Sequence, residues 1–283
     1  MNLQLYRSLW GVQVPLLQGA EEAAAAGFHG LESRVPETEQ DWLALEEALA
    51  RHKLRWNGEI VTGGDYVPAR HATPEQHLQE LERGLDACLR GRPDRVNCII
   101  GLDAWDFATA RDFLAQAHEL GEARGIRLCF ETHRSRILFN PWVTAALVKA
   151  LPQLRLTADI SHWCVVAERL MDTEMDVIRA IAPQVHHVHA RVGYDQGPQV
   201  PHPAAPEYQH CLLSHQRCWE IFWQAARERG DTAATMTPEF GPDGYLHRLP
   251  FTDVPVADLW QINRWMAATE QTHFHHWQAG HRA

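Results

Sequence analysis

The sequence predicts an α/β chain folded as one closed (β/α)8 barrel, and three observations carry that prediction. Strand-like and helix-like periodicities alternate eight times from end to end. The 283 residues sit close to the roughly 250 that one such barrel occupies. No GxGxxG follows the first strand, which weakens the competing open dinucleotide-binding sheet. Repeated βα alternation calls for parallel strands joined by right-handed crossovers, and eight units favour closure over an open sheet.

The elements follow in order. A strand at Leu3–Trp10 leads to a helix at Leu16–Ala26, where a run of strong helix formers stops at Gly27. Strand Gly30–Arg34 precedes helix Glu39–His52. Strand Leu54–Thr62 precedes helix Pro74–Arg90, whose start is marked by the hydroxyl of Thr73, a proline at the first helical position and Gln76 at the third. Gly91 and Gly125 stand where helices should yield to strands. The remaining pairs are Arg95–Leu102 with Asp106–Arg124, Arg127–His133 with Pro141–Leu151, Arg155–Ile160 with Glu174–Ala182, Val185–Val192 with His215–Arg229, and Thr232–Phe240 with Val256–Thr269. Residues 1–270 are read as the barrel. Residues 271–283 are read as a C-terminal tail whose His273, His275, His276 and His281 are solvated or frayed. The stretch Gly193–Ser214, rich in Pro, Gly and His, is long for a βα loop and is expected to be a functional lid or a disordered insertion.

Composition narrows the function. A hydrophobic share of 45% supplies ample core, and no apolar run approaches the ~20 residues of a membrane span. No basic segment followed by an apolar stretch opens the chain, so a cytoplasmic location is expected. The six cysteines form no CxxC pair and are read as reduced. A net charge of −10 with no basic cluster argues against a nucleic-acid partner. Trp219, Trp223, Trp260, Trp265 and Trp277 on the last two helices offer either a face for a second copy, giving a homo-oligomer, or an outer layer against the strands.

The chemistry is carried by four strand ends. Glu131, Asp159, His189 and Glu239 each close an apolar strand, 28, 30 and 50 residues apart, which is the spacing of successive βα units with one long excursion. Apolar strands rarely end in carboxylates by accident, because an unpaired buried charge costs several kcal/mol. A metal ion removes that cost. In a (β/α)8 barrel these ends converge on one mouth. Three oxygen donors and one imidazole suit one divalent ion such as Mn, Co, Mg or Zn. An octahedral ion held by four protein groups keeps two positions open, enough for vicinal oxygens of a polyol or keto-sugar. Glu131 and Glu239, on opposite sides of the mouth, could each remove a carbon-bound proton, giving an enediolate. His187 points into the same interior by strand alternation and rivals His189.

Glu131-Thr132-His133, Ala158-Asp159-Ile160-Ser161-His162-Trp163, His187-Val188-His189-Ala190-Arg191 and Pro238-Glu239-Phe240 together resemble the signature strands of the xylose-isomerase-like TIM barrel superfamily. Within it they are most similar to the sugar phosphate isomerase/epimerase group, which includes ketose 3-epimerases, hydroxypyruvate isomerases and inosose dehydratases. The resemblance implies Glu131, Asp159, His189 and Glu239 as metal ligands and His162 and Arg191 as substrate contacts. It departs from the epimerase pattern after Glu131, where His133, Arg134 and Arg136 replace an expected acidic residue. A basic edge there would favour a sugar acid or sugar phosphate. Glu59 and Asp103, near the ends of the third and fourth strands, could contact hydroxyls, and Trp10, Trp105 or Trp163 could pack on a sugar face. Each has a structural or core role as its alternative.

The expected function is therefore a divalent-metal-dependent isomerase or epimerase of a keto-sugar, sugar acid or sugar phosphate. The chief alternative is a metal-dependent lyase or dehydratase of a keto-polyol. An apurinic-endonuclease-type phosphodiesterase would need about three zinc ions and a basic face. A barrel that only binds sugar would have no use for four retained ligands.

Overall fold

A computed structural model describes residues 1–281 of the chain except Tyr66 and Asp243. Eight parallel strands close in sequence order: β1 (Asn2–Ser8), β2 (Gly30–Arg34), β3 (Arg55–Val61), β4 (Arg95–Ile99), β5 (Leu128–Glu131), β6 (Leu156–Ala158), β7 (Val185–His189) and β8 (Ala233–Thr237). Closure is made by β8 pairing with β1, Ala233 opposite Asn2 through Met236 opposite Leu5. The predicted (β/α)8 barrel is thus the fold observed. Among the described residues the helices are α1 (Leu16–Ala25), α2 (Glu39–His52), α3 (Pro74–Gly91), α4 (Phe107–Glu122), α5 (Pro141–Ala150), α6 (Ser161–Ala167), α7 (Met175–Ile181), α8 (Gln209–Glu228) and α9 (Leu259–Gly280).

Local chemistry sets most of these limits. Thr38 accepts from the Asp41 amide to start α2. Thr73 and Gln76 make a reciprocal capping box at α3, with Pro74 beside it. Asp106, Asn140 and Asp258 cap α4, α5 and α9 in the same way. Gly27 and Gly125 adopt positive φ where α1 and α4 give way, as their positions predicted. Gly91 acts differently. It stays inside α3, and a Cβ there would meet the Trp56 ring at 2.4 Å, so the glycine permits close packing while Arg92 takes the left-handed turn.

Four departures from expectation matter for the site. First, α6 begins directly after Asp159, a helix too short for its period to register in the sequence. Second, the 193–214 segment is tied to the barrel and is partly helical. The Val200 amide donates to Val192 O at 2.9 Å, Gln199 exchanges hydrogen bonds with Gly241, and α8 already starts at Gln209. Third, β9 (Arg248–Leu249) and β10 (Val254–Pro255) form a small antiparallel pair between β8 and α9. Fourth, α9 runs through the expected domain limit at 270, because Phe274 and Trp277 are buried on its inner face. His273 is not frayed but bridges Glu270 at 3.0 Å and Glu220 at 2.8 Å.

The helices bury their apolar faces on the outside of the barrel, forming one core. Trp219, Trp223 and Trp277 belong to it, with Trp223 stacked among Phe274, Trp277 and His273. All six cysteines are buried free thiols, and burial pushes Cys88 up to about 12. No helix among the described residues is long and apolar enough to cross a membrane. The upper interior of the barrel is polar: Glu32, Asn57, Asn97, Glu131, His187 and His189 are all buried there.

Candidate active site and metal centre

Glu131 ends β5, His189 ends β7, Asp159 follows β6 and Glu239 lies two residues past β8. The closed barrel brings ligand atoms of all four within 4.8 Å of one another, every residue buried. Each is held by neighbours. The Ser161 amide and hydroxyl donate to Asp159 Oδ1 at 3.0 and 2.5 Å, a contact made possible by α6 starting there. Arg191 Nη2 donates to Asp159 Oδ2 at 2.5 Å. The Asn97 amide donates to Glu131 Oε2 at 2.5 Å. His189 Nδ1 lies 2.9 Å from Glu239 Oε2 and 3.7 Å from Glu131 Oε2.

Electrostatics show what this cluster lacks. Burial, reinforced by Glu239 and Asp159, pushes Glu131 well above the usual carboxylate range despite the attraction of His189. Burial, reinforced by Glu239, raises Asp159 despite Arg191 beside it. Burial opposes protonation of His189, yet Glu239, Glu32 and Glu131 carry it well above its ordinary value. His189 Nδ1 is also a buried nitrogen with no hydrogen-bond partner. Three crowded carboxylates and an unpartnered imidazole nitrogen are a donor set suited to a divalent cation. Two further trios gather nearby. In Glu32, His187 and His189 the groups already touch at 2.7 and 3.1 Å. In Glu131, His133 and His162, His162 Nε2 already accepts from Arg191 at 2.6 Å. His187, the rival ligand, is turned towards Glu32, Thr235 and Thr237.

A cavity of about 280 Å³ opens above this cluster, lined by Glu131, Glu239, Arg191, His133, Glu59, Glu32, Trp10 and Tyr245 among others. Of the sequence-predicted substrate contacts, His133, Arg191, Glu59 and Trp10 line it. His162 is wholly buried against His133, ring centroids 3.9 Å apart, and its Nδ1 is unpartnered. Because Arg191 can only donate, His162 Nε2 is the acceptor and Nδ1 carries the proton. Burial, with His133 and Arg191 nearby, keeps the ring neutral. Burial raises Glu59 to about 7, with Arg34 at 2.6 Å opposing and Glu239 and Glu32 adding to the rise.

Two expectations are corrected. Trp163 does not face the cavity: it is 0% exposed, and its indole N–H donates to Leu138 O at 2.9 Å, because α6 turns it into the core. Arg136 is not a basic edge. Its guanidinium is buried and donates to the carbonyls of Thr62, at 2.6 Å, and Asp65. Arg134 instead lies over the Tyr245 ring at 5.0 Å. Asp103 is exposed, and Trp105 packs on His77 and Phe113. Sequence reasoning missed Glu32 and Tyr245. Glu32 sits in the middle of Gly30-Leu31-Glu32-Ser33-Arg34, a strand that is neither apolar nor closed by the acid, so the strand-end criterion passes over it. Tyr245, which stacks over Arg191 at 4.7 Å, lies in a loop with no signal of its own.

A family model described as xylose isomerase-like TIM barrel matches residues 20–200. No curated protein matches the chain in sequence. Among solved structures, an L-ribulose 3-epimerase is similar at 15% identity and a TM-score of 0.66, covering 99% of this chain and 97% of its own. A family 2 AP endonuclease from Brucella melitensis is similar at 17% identity and 0.62, covering 94% and 98%. The probable 3-DHS dehydratase AsbF from Bacillus anthracis is similar at 11% identity and 0.57, also covering 94% and 98%. At these identities the likeness is one of fold.

Proposed function

The chain belongs to the xylose isomerase-like TIM barrel family, and from that premise we propose that it is a divalent-metal-dependent isomerase or epimerase of a keto-sugar. The observation that carries this reading is the convergence of Glu131, Asp159, His189 and Glu239 beneath a sugar-sized cavity. These four residues would hold the ion, which when bound supplies Lewis-acid stabilisation of oxyanions on adjacent substrate carbons. The carboxylates of Glu131 and Glu239 both face the cavity, so each has access to a substrate carbon-bound proton, and removal of one beside a carbonyl gives an enediolate. Return of the proton to the opposite face epimerises that carbon. Return to the neighbouring carbon isomerises the sugar. Arg191 orients substrate oxygens from beside Asp159, and His133, backed by the buried His162, supplies a neutral edge.

Neutralisation of most guanidiniums around the cavity favours an uncharged sugar over the sugar acid or phosphate that the basic segment suggested, although Arg134, over the Tyr245 ring, has no carboxylate partner among the described residues. Arg34 is paired with Glu59 and Asp65, Arg191 with Asp159, and Arg136 with backbone carbonyls. A net charge of −10 likewise favours a small-molecule substrate over nucleic acid. A second reading, dehydration of a keto-polyol, is favoured by Glu59, a cavity-lining acid raised to about 7 and therefore able to protonate a leaving hydroxyl near neutral pH.

Metal analysis of the protein and its Glu239→Gln variant, followed by solvent-deuterium incorporation into ketoses, sugar acids and sugar phosphates, tests these readings. The expected result is about one divalent ion per chain, weakened by the substitution, with deuterium entering a ketose beside its carbonyl. Loss of the mass of water from the product moves the assignment to dehydratase. Absence of both metal and exchange overturns the enzyme reading.

A further inference from the structure

We infer that Glu32 is a positioning residue for the metal centre: it fixes the orientation and tautomer of His189 so that Nδ1 presents its lone pair to the cation. This rests on the metal-site reading above and extends it to a residue outside the four ligands. Glu32 lies on β2, in register with Ser8 on β1 and Asn57 on β3, and is 2% exposed. Its carboxylate reaches across the barrel to strands seven and eight.

Three hydrogen-bond donors converge on its two oxygens, with a second imidazole close by. His189 Nε2 is 2.7 Å from Oε1, and His187 Nε2 is 3.1 Å from Oε2. Asn57 Nδ2 donates to Oε2 at 2.8 Å and the Thr237 hydroxyl to the same oxygen at 3.0 Å. An ionised carboxylate offers about four acceptor sites, and three of these are taken by protein donors, with His187 against the same oxygen, so little capacity is left for it to act as a ligand itself. It is an acceptor only, which places a proton on His189 Nε2. The remaining nitrogen, Nδ1, is the one that faces Glu239 and Glu131 and has no hydrogen-bond partner. Imidazole ligands whose second nitrogen donates to a carboxylate are held in one tautomer and made more basic, and removal of the acceptor characteristically weakens metal binding about 10–100-fold. Asn57 and Thr237 hold the carboxylate in turn, so it cannot follow a rotating imidazole.

The test is a Co(II) titration of the metal-stripped wild-type protein, Glu32→Gln and Glu32→Asp, read by calorimetry and by the visible Co(II) absorption bands, with urea unfolding of each metal-free protein alongside. Glutamine keeps the volume but loses the charge. Aspartate keeps the charge but withdraws the oxygens from Nε2. The expected result is one site in the wild type, weakened 10–100-fold in either folded variant with altered Co(II) bands, and turnover recovered at saturating metal. Should one variant fail to fold, the other carries the comparison. Wild-type affinity and an unchanged spectrum in a folded variant overturn the role of Glu32. Failure of the wild type itself to bind Co(II), Mn(II), Mg(II) or Zn(II) overturns the metal-site reading instead.

Discussion

Arg191 illustrates how one side chain serves both stability and chemistry. It is 2% exposed, pairs with Asp159 and Glu239, accepts the Tyr245 ring over its face and still lines the cavity. Arg191→Met should leave Asp159 buried without its cation and lower metal-free stability by about 3–5 kcal/mol, read by urea unfolding, and it should also reduce kcat/KM. A Cβ added at Gly241 would lie 1.9 Å from the Trp10 ring, so Gly241→Ala must displace a cavity wall. KM is expected to rise in that variant while metal affinity stays at the wild-type value, as measured by steady-state kinetics and calorimetry. At this scale, Glu131, Asp159, His189 and Glu239 were legible because a carboxylate or imidazole closing an apolar strand is costly without a partner. Trp163 and Arg136 were misread for a common reason. Both lie near a candidate ligand in sequence, but their directions depend on how the chain turns after its strand, and both turn inward to backbone carbonyls.

Among the elements, the start of the 193–208 segment is anchored by a histidine. His215 Nδ1–H donates to Cys211 O at 2.9 Å, and Nε2 accepts from the Gly193 amide at 3.2 Å, so only the neutral ring satisfies both. Burial holds its pKa at about 4. An unfolded histidine near 6.5 binds its proton first, so this contribution is full above that pH and is lost as pH falls from about 6.5 towards 4. Amide protection across residues 193–200, taken relative to the intrinsic exchange rate at each pH, should fall over that window, and His215→Leu, which loses the acceptor at every pH, should flatten the dependence. The last helix supports a second test. Truncation after residue 270 removes Phe274 and Trp277 from the core, each worth about 3–5 kcal/mol as a large-to-small loss. Thermal melting of the truncated chain should show a large loss of stability, whereas a frayed tail could be removed without effect. Helix starts were legible where a side-chain cap marks them, as the Thr73 and Gln76 box shows, whereas α8, which has no side-chain cap, starts at Gln209 and not at the expected His215. Helix ends were less so, since α9 persists through burial of residues far from its start.

For the whole molecule, the buried carboxylates at the mouth are a standing electrostatic cost that a cation relieves. A ligand that binds only the folded state at 100 times its dissociation constant stabilises by about 2.7 kcal/mol. Added Mn(II) or Co(II) should therefore raise the melting temperature of metal-stripped protein by several degrees, and Asp159→Asn should abolish most of that shift. A shift that survives the substitution would place the ion elsewhere.

The sequence by itself determined the barrel, because strand and helix periods alternate eight times and each is a property of a short window. It also determined which strand ends carry ligand-type side chains. Only the tertiary structure decided which polar groups meet. Barrel closure sets Glu32 on β2 against His189 on β7, a separation of 157 residues that no local pattern encodes. Closure likewise decided that Arg136 is consumed by backbone carbonyls while Arg191 keeps a face on the cavity. The physical reason is one of range. Helix and strand formation are driven by interactions within a few residues, whereas the field inside a barrel is the sum of groups delivered by all eight strands.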